Sequence, residues 1–259
     1  MFDVTDLPPS PWGKKPRAAK AESKPALTRP AIVDAALRII DAEGMDAVSM
    51  RRIAQDLGTG AASLYAHVAD KEELMDLVVD QIMGEIVVNF GDQDPGAGAG
   101  WVEWVKAMAR TMLVTLLAHG DVAKAFVGRI PFGPQGLVAM EAHLAVLREA
   151  GLPDFLSTFV GDLISQFVTG YVLDEVGWRG RFPGAEESDL VEHLTKLRDY
   201  LKSLPVDRFP NLVEMAGMLL SGEDDGLSRF ELGLEVIVRG FASFVTPQQP
   251  PQDPPAQSA

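Results

Sequence analysis

The chain has 259 residues, with 23 Lys/Arg against 37 Asp/Glu and no cysteine. That length suits one large domain or two of ordinary size, and an apolar content of 47% can fill a core. The absence of cysteine excludes disulfides, thiolate metal sites, Fe–S clusters and thiol nucleophiles. No unbroken run of 18 apolar residues marks a membrane span, and the opening MFDVTDLPPSPWGKKPR lacks the basic-then-apolar order of a signal peptide, so a soluble cytoplasmic protein is expected. The net charge of −14 is unevenly spread: residues 1–71 carry +1 and residues 72–259 carry −15. A polyanion would be drawn to the N-terminal end and repelled by the rest.

Residues 1–27 are Pro-rich and polar, with Lys14, Lys15, Arg17, Lys20 and Lys24, and read as a flexible basic arm. Thr28 is placed to cap a helix in which Ile32, Ala35, Ala36, Ile39 and Ile40 follow the 3.6 period, with Gly44 as its stop. Ser49 can cap a short helix through Leu57, and after the Gly58-Thr59-Gly60 turn AASLYAHV (61–68) reads as another. Asp70-Lys71-Glu72-Glu73 forms an Asp-x-x-Glu capping box that opens a long helix to about residue 90. GDQDPGAGAG (91–100) breaks the pattern; no strand precedes it and its glycines lack the G-x-G-x-x-G spacing, so it is a linker. Helices follow near 100–119, 121–128, 135–150, 153–178, 187–204 and 225–245, separated by Gly and Pro, including Pro205 to Pro210. The tail 246–259 is disordered in composition. No hairpin signal or alternating run appears, so the fold class is all-α.

Residues 49–68, SMRRIAQDLGTGAASLYAHV, carry the functional signal. Ile53, Ala54 and Leu57 of the first short helix face Leu64 and Val68 of the second, and small residues at Ala54, Gly58 and Ala61 permit close approach. This is a helix-turn-helix pattern, whose second helix fits a major groove about 12 Å wide. A short helix hairpin in any all-α domain would share it.

The order of residues 28–78 resembles the N-terminal domain of the tetracycline-repressor (TetR) family, through A-A-x-x-I/L-x-x-x-E-G, S-M-R-R-I-A-x-x-L-G and S-L-Y-x-H-V-x-x-K-x-E-L. The second half resembles the tetracycline-repressor subgroup at HGDVAKAFVGRIP (119–131), GYVLDEV (170–176) and RFELGLEVIVRGF (229–241). The resemblance implies a three-helix DNA-binding domain at 28–75 and a ligand-binding, dimerising helical domain at 76–245. It makes 61–67 the recognition helix. Ser49 and Tyr65 would hold phosphates, Arg51 would reach a guanine edge, Ala61, Ala62 and Ser63 would face bases, and His67 and Lys71 would touch backbone. Arg52 is a weaker contact, equally readable as a surface charge. Ala61, Ala62 and Ala66 leave the helix poor in hydrogen-bonding side chains, so groove shape, or the arm in a minor groove, would have to supply part of the readout.

In the second half, Gly161, Ser165 and Thr169 form a small-residue stripe, and Leu227, Phe230, Leu234, Ile237, Phe241 and Phe244 an apolar one. By resemblance, two such helices from each subunit would build the four-helix bundle of a homodimer. The implied ligand pocket draws on Trp104, Met108, Met112, Phe126, Phe132, Met140, His143, Phe167, Tyr171 and Asp174, a set rich in aromatic and Met side chains that suits a flat, lipophilic molecule. Phe126 stands where the family's metal-binding histidine would be, so a metal-free, multi-ring ligand is expected rather than tetracycline with magnesium, and no cofactor. The implied function is a repressor that leaves a pseudo-palindromic DNA operator when such a molecule binds; an efflux-pump gene is one target this admits.

Two other readings remain open at this point. One is a DNA-binding regulator without a small-molecule ligand. The other is a helical small-molecule-binding protein or enzyme with no DNA role. His67, His119, His143 and His193 are scattered, without H-E-x-x-H, G-x-S-x-G or a P-loop, so the residues point away from catalysis.

Overall fold

The structure, a computed structural model, describes residues 27–91, 100–182, 184, 186–219 and 227–245. All regular structure among them is helical. The basic arm with Lys14, Lys15, Arg17, Lys20 and Lys24, and the tail from 246, lie outside the described residues.

Helix α1 (Arg29–Glu43) starts as its caps dictate. Thr28 is extended, its hydroxyl accepts from the Ala31 N–H, and Pro30 sits in the first turn, where a missing N–H costs nothing. It stops at Gly44, whose φ of 86° favours glycine. A 3-10 turn at Met45–Ala47 leads to α2 (Met50–Asp56), capped by Ser49. Gly58 then turns the chain at φ 61°; no atom lies within 4 Å of where its Cβ would be, so the backbone conformation and not space calls for glycine. Helix α3 (Ala61–Leu64) is shorter than the expected 61–68. Beyond Leu64 the Ala66 and His67 N–H groups donate to carbonyls three residues back, so the element finishes as a tighter turn.

Helix α4 (Lys71–Phe90) opens on the Asp70 cap, with the Glu73 N–H donating to Asp70 Oδ1 at 2.9 Å. The reciprocal bond is displaced by one residue: the Glu73 carboxylate accepts from the Ala69 N–H. Then come α5 (Gly100–Ala118), α6 (Ala123–Phe126), α7 (Pro134–Glu149), α8 (Asp154–Gly180), α9 (Glu187–Lys202), α10 (Pro210–Leu219) and α11 (Leu227–Ala242). Helix α10 is missing from the expected elements. Pro210, read as a breaker, is instead its first residue, a position proline favours.

The chain divides into two compact units, one running through Leu173 and resuming at Ile237, the other spanning Asp174–Val236. In the first, α4 is the shared element: it packs on α1 and also on α5, α6 and α7. Its Val78, Ile82 and Ile86 are buried, as are Trp101, Trp104, Val105, Ala109 and Leu113 of α5. Along α8, Leu156, Val160, Ile164, Val168 and Val172 recur every four residues and are all buried. The α4 Asp80 carboxylate caps the start of α7, accepting from the Gln135 N–H at 2.9 Å and the Gly136 N–H at 3.1 Å. In the second unit α9 packs on α10, and the rings of Trp178, Phe182 and His193 cluster with centroids 4.8–5.7 Å apart.

Helix α8 is long and apolar enough to cross a membrane, as core helices also are, although no unbroken apolar run marks it in the sequence. Of the small-residue stripe expected at a dimer surface, Gly161 and Ser165 are half-buried and Thr169 is buried within the subunit. A Cβ at Gly161 would lie 3.4 Å from the His143 ring, and Thr169 is buried. The His143 ring of α7 therefore packs directly on the helix at Gly161. The outward face carries Phe155, 71% exposed, and Phe159, 50% exposed. In α11 likewise, Phe230, Leu234 and Phe241 of the expected stripe are buried, while Leu232, Val236 and Phe244 are exposed.

Candidate nucleic-acid interface and ligand core

The α2–turn–α3 unit is held from behind. Ile53, Ala54, Leu64 and Val68 are buried, and the Thr59 N–H donates to the Ala54 carbonyl at 2.9 Å, closing the turn. Arg38 of α1 pairs with Asp56 of α2 at 2.7 Å. Arg29 donates to the His67 carbonyl at 2.7 Å and pairs with Glu73 at 3.0 Å, fixing the end of the recognition element to α1 and α4.

With that scaffold in place, Arg51, Ala62, Ser63 and Tyr65 are exposed, and Ala61 and His67 are half-buried. Tyr65 is 53% exposed, so its ring is not a core residue. Ser49 spends its oxygen on the α2 cap, accepting from the Arg52 N–H at 3.2 Å, which leaves its hydroxyl proton for an outside acceptor.

Arg52 differs from expectation. Its guanidinium donates to Glu43 at 3.1 Å and reaches toward Asp56 at 4.0 Å. The pairing with Glu43 raises the Arg52 pKa and lowers that of Glu43. Glu43 thus ties this cation to α1, with Asp56 of its own helix nearby, and a third of the side chain stays exposed. Lys71 is partly committed as well: its Nζ donates to the Val48 carbonyl at 2.8 Å, tying the start of α4 to the loop before α2. An ammonium has further donors for a phosphate.

The joint between this unit and the rest is polar. His119, after α5, sits between Asp41 of α1 at 3.3 Å and Glu85 of α4 at 2.8 Å. Asp121 accepts from the Met45 N–H at 2.6 Å and pairs with Lys124. Arg129, beyond α6, pairs with Glu72 and with Asp76 at 3.2 Å. Burial raises the Asp76 pKa, with Arg129 acting in the opposite sense. None of these links was anticipated from the sequence, because each partner lies on a different element.

Of the residues expected to contact a ligand, Trp104, Met112, Phe126 and His143 are buried, and Met108, Phe132, Met140, Phe167 and Tyr171 are half-buried. Asp174 is exposed and belongs to the second unit, so it is not a group of the first unit's interior. Trp104 and His143 do come together, with ring centroids 5.9 Å apart, and Phe90 stands edge-on to Trp104 at 5.2 Å. Phe90 was missed. Its only sequence signal was an aromatic at the end of the long helix. A separate open cleft of about 550 Å³ runs between α1, α4 and the start of α7, lined by Val33, Leu77, Gly84 and Gln135 among others. It shares no residue with the expected set.

Burial pushes the His143 pKa down to about 4, so the ring is neutral near pH 7. The unfolded chain protonates this imidazole near pH 6.5, while the folded chain resists until about pH 4. Stability is therefore intact above pH 6.5 and lost progressively as pH falls toward 4. The expected loss from this one group is on the order of 3 kcal/mol. Urea titrations at pH 7 and pH 5 should show the drop in wild type and a smaller one in His143→Phe; equal drops would assign the acid sensitivity elsewhere.

Comparison with known proteins agrees with this architecture. Residues 32–78 match the family model of bacterial regulatory proteins, tetR family, and residues 94–245 match the tetracyclin repressor-like C-terminal domain. The transcriptional repressor DrrR1 of Streptomyces coeruleorubidus is 32% identical over 237 residues, covering 83% of this chain and 80% of that protein. The class D tetracycline repressor of Escherichia coli is 29% identical over 221 residues, covering 85% and 91%. Among solved structures, ActR of Streptomyces coelicolor in complex with actinorhodin is 44% identical, with a TM-score of 0.75, covering 87% of this chain and all of that one. Its apo form gives a TM-score of 0.72 over 85% and 98%. With both halves matched in order along one all-α chain, this protein belongs to the tetR family of bacterial transcriptional regulators and carries a tetracyclin repressor-like C-terminal domain.

Proposed function

We propose that the protein is a homodimeric repressor that holds a pseudo-palindromic operator and releases it when a lipophilic, multi-ring small molecule binds its helical half. The observation that carries the DNA half of this reading is the exposed row Arg51, Ala62, Ser63 and Tyr65 on a helix-turn-helix clamped from behind. Residues 28–75 are the reading head and 76–245 the sensor and dimer half. DNA binding places the protein in the cytoplasm. The 44% identity to a protein crystallised with actinorhodin supports an aromatic secondary metabolite or antibiotic as effector. The Trp104–His143 contact, with Phe126 where a metal-binding histidine would stand, supports a ligand recognised without metal.

Arg51 is the side chain assigned to base readout, since it is exposed and long enough to reach a guanine edge. Arg51→Ala should weaken operator binding by about 1–3 kcal/mol and relax preference at one base pair per half-site. Fluorescence anisotropy on the operator and its single-base variants measures both. Equal loss on every duplex would make Arg51 a phosphate contact. A wild type with no preference for any duplex over competitor DNA would end the regulator reading.

A further inference from the structure

The open cleft of about 550 Å³ between α1, α4 and the start of α7 shares no residue with the aromatic interior of the helical half. Val33 of α1 and Leu77 of α4 give it apolar walls, and Arg29, Asp80 and Glu85 are its ionisable residues. Two of the three are already matched. Arg29 donates to the His67 carbonyl at 2.7 Å and pairs with Glu73 at 3.0 Å, and Glu85 meets the His119 ring at 2.8 Å. Asp80 is not matched. Its Oδ1 accepts the Gln135 and Gly136 N–H groups at 2.9 and 3.1 Å. Among the described residues Oδ2 has no hydrogen-bond partner, and no Lys, Arg or His pairs with the carboxylate. Asp80 is half-buried, and burial raises its pKa with only the two backbone bonds acting against it. A partly desolvated carboxylate without a counter-charge is costly, and a cation brought from outside relieves that cost. The Gln81 amide beside it adds no charge and donates to Asp34 at 2.9 Å, so a further carboxylate stands at the same edge.

We propose that this cleft is a second small-molecule site, for a lipophilic primary amine. The ammonium group donates to Asp80 Oδ2, and the hydrocarbon body lies against Val33 and Leu77. Leu77 is three residues before Asp80, on the same face of α4, so one compact molecule reaches both. The surplus of carboxylates selects against organic acids and phosphates. A neutral molecule of the same shape gains the apolar contact and leaves the carboxylate without its counter-charge. The site does not rest on the proposed repressor mechanism, because no residue of the aromatic interior takes part. Its walls come from both matched domains, Val33 from the first and Gln135 from the second, so a bound amine sits where the two meet.

The test is calorimetry on the full-length protein near neutral pH with 1-adamantylamine and 1-adamantanol. The two share one hydrocarbon cage, and only the first is a cation. Wild type should bind the amine at least about 10-fold more tightly, as expected for a charge-assisted hydrogen bond against a neutral one. Asp80→Asn keeps an acceptor for the α7 N–H groups and removes the charge, so it should bind the two compounds alike without loss of melting temperature. Gln81→Lys sets a cation of the chain's own in the cleft, beside Asp80 and within reach of Asp34. It should lose amine binding while its melting temperature equals or exceeds that of wild type. Equal affinity of wild type for the two compounds, or binding of neither, overturns the site. An amine preference that survives in either variant puts the amine elsewhere on the molecule and overturns it as well.

Discussion

Phe155→Glu combined with Phe159→Glu should yield a monomer that binds a full operator no better than a single half-site. Both side chains lie on the outer face of α8, 71% and 50% exposed, opposite the buried Leu156, Val160 and Ile164 row. A monomeric fold has little use for two exposed phenylalanines one turn apart, whereas a four-helix dimer bundle buries such a face. Carboxylates there would have to be desolvated without partners in the dimer; in the monomer Phe155→Glu costs little, while Phe159→Glu gives up the edge contact with Phe241, 6.4 Å between ring centroids. Losing the dimer removes the second recognition element, and with it an avidity gain of about 10²- to 10⁴-fold. Sedimentation velocity should give the monomer mass with unchanged helical content, and anisotropy should show equal affinity for full and half operators. A variant that stays dimeric would move the interface off this face of α8. One that is monomeric yet keeps full operator affinity would show that one recognition element suffices.

The sequence pointed to the small-residue stripe of α8 and not to these phenylalanines, for a physical reason. Small residues at a four-residue spacing signal close helix approach but do not say to what. Gly161 and Thr169 answer to α7 and the interior of the same chain, and the phenylalanines one position set away were left to solvent. The elements that were legible were those with local chemistry at their ends: Thr28 and Gly44 for α1, Ser49 for α2, Asp70 for α4. Helix α10 was hidden because proline stops a helix from within and starts one from its first turn, and residue type alone does not separate the two. Among the site residues, exposure at Arg51 and Tyr65 followed from the period of a helix packed on one side. The fate of Arg52 did not, since Glu43 reaches it only after the chain has turned at Gly44. Likewise nothing in the order of residues announces that His143 Nε2 is unpaired, because that depends on which side chains neighbouring helices bring to it.

Breaking the joint between α4 and α7 should uncouple ligand from DNA. Helix α4 packs on α1 and on α5, α6 and α7, so under the proposed function a ligand that shifts the later helices reaches the DNA-binding unit through it. Its firmest directional link to α7 is Asp80, whose Oδ1 takes both the Gln135 and Gly136 N–H groups at the start of that helix. The chain there has no room to adjust: a Cβ on Gly133 would overlap the Asp80 carboxylate, and one on Gly136 would overlap the Pro131 carbonyl. Gly136→Ala should therefore cost about 3 kcal/mol or more, since the obstructing atom is backbone and no rotamer change removes it. Asp80→Ala should cost about 1–2 kcal/mol, the usual value of a lost helix cap. Asp80→Asn keeps an acceptor oxygen. Burial raises the Asp80 pKa, with its two backbone bonds acting against that, so ionising it in place is unfavourable and removing the charge should leave stability equal or higher. Denaturant melts rank the three variants. Paired titrations with operator and an inducing compound then separate stability from coupling. In Asp80→Ala both ligand and DNA should still bind, but each should weaken the other less than in wild type, while Asp80→Asn retains the full mutual penalty. If Asp80→Ala keeps the whole coupling at reduced stability, the α4–α7 cap is only a fastening, and the signal crosses instead by the polar contacts of His119, Asp121 or Arg129 with α1, the 3-10 turn after it and α4.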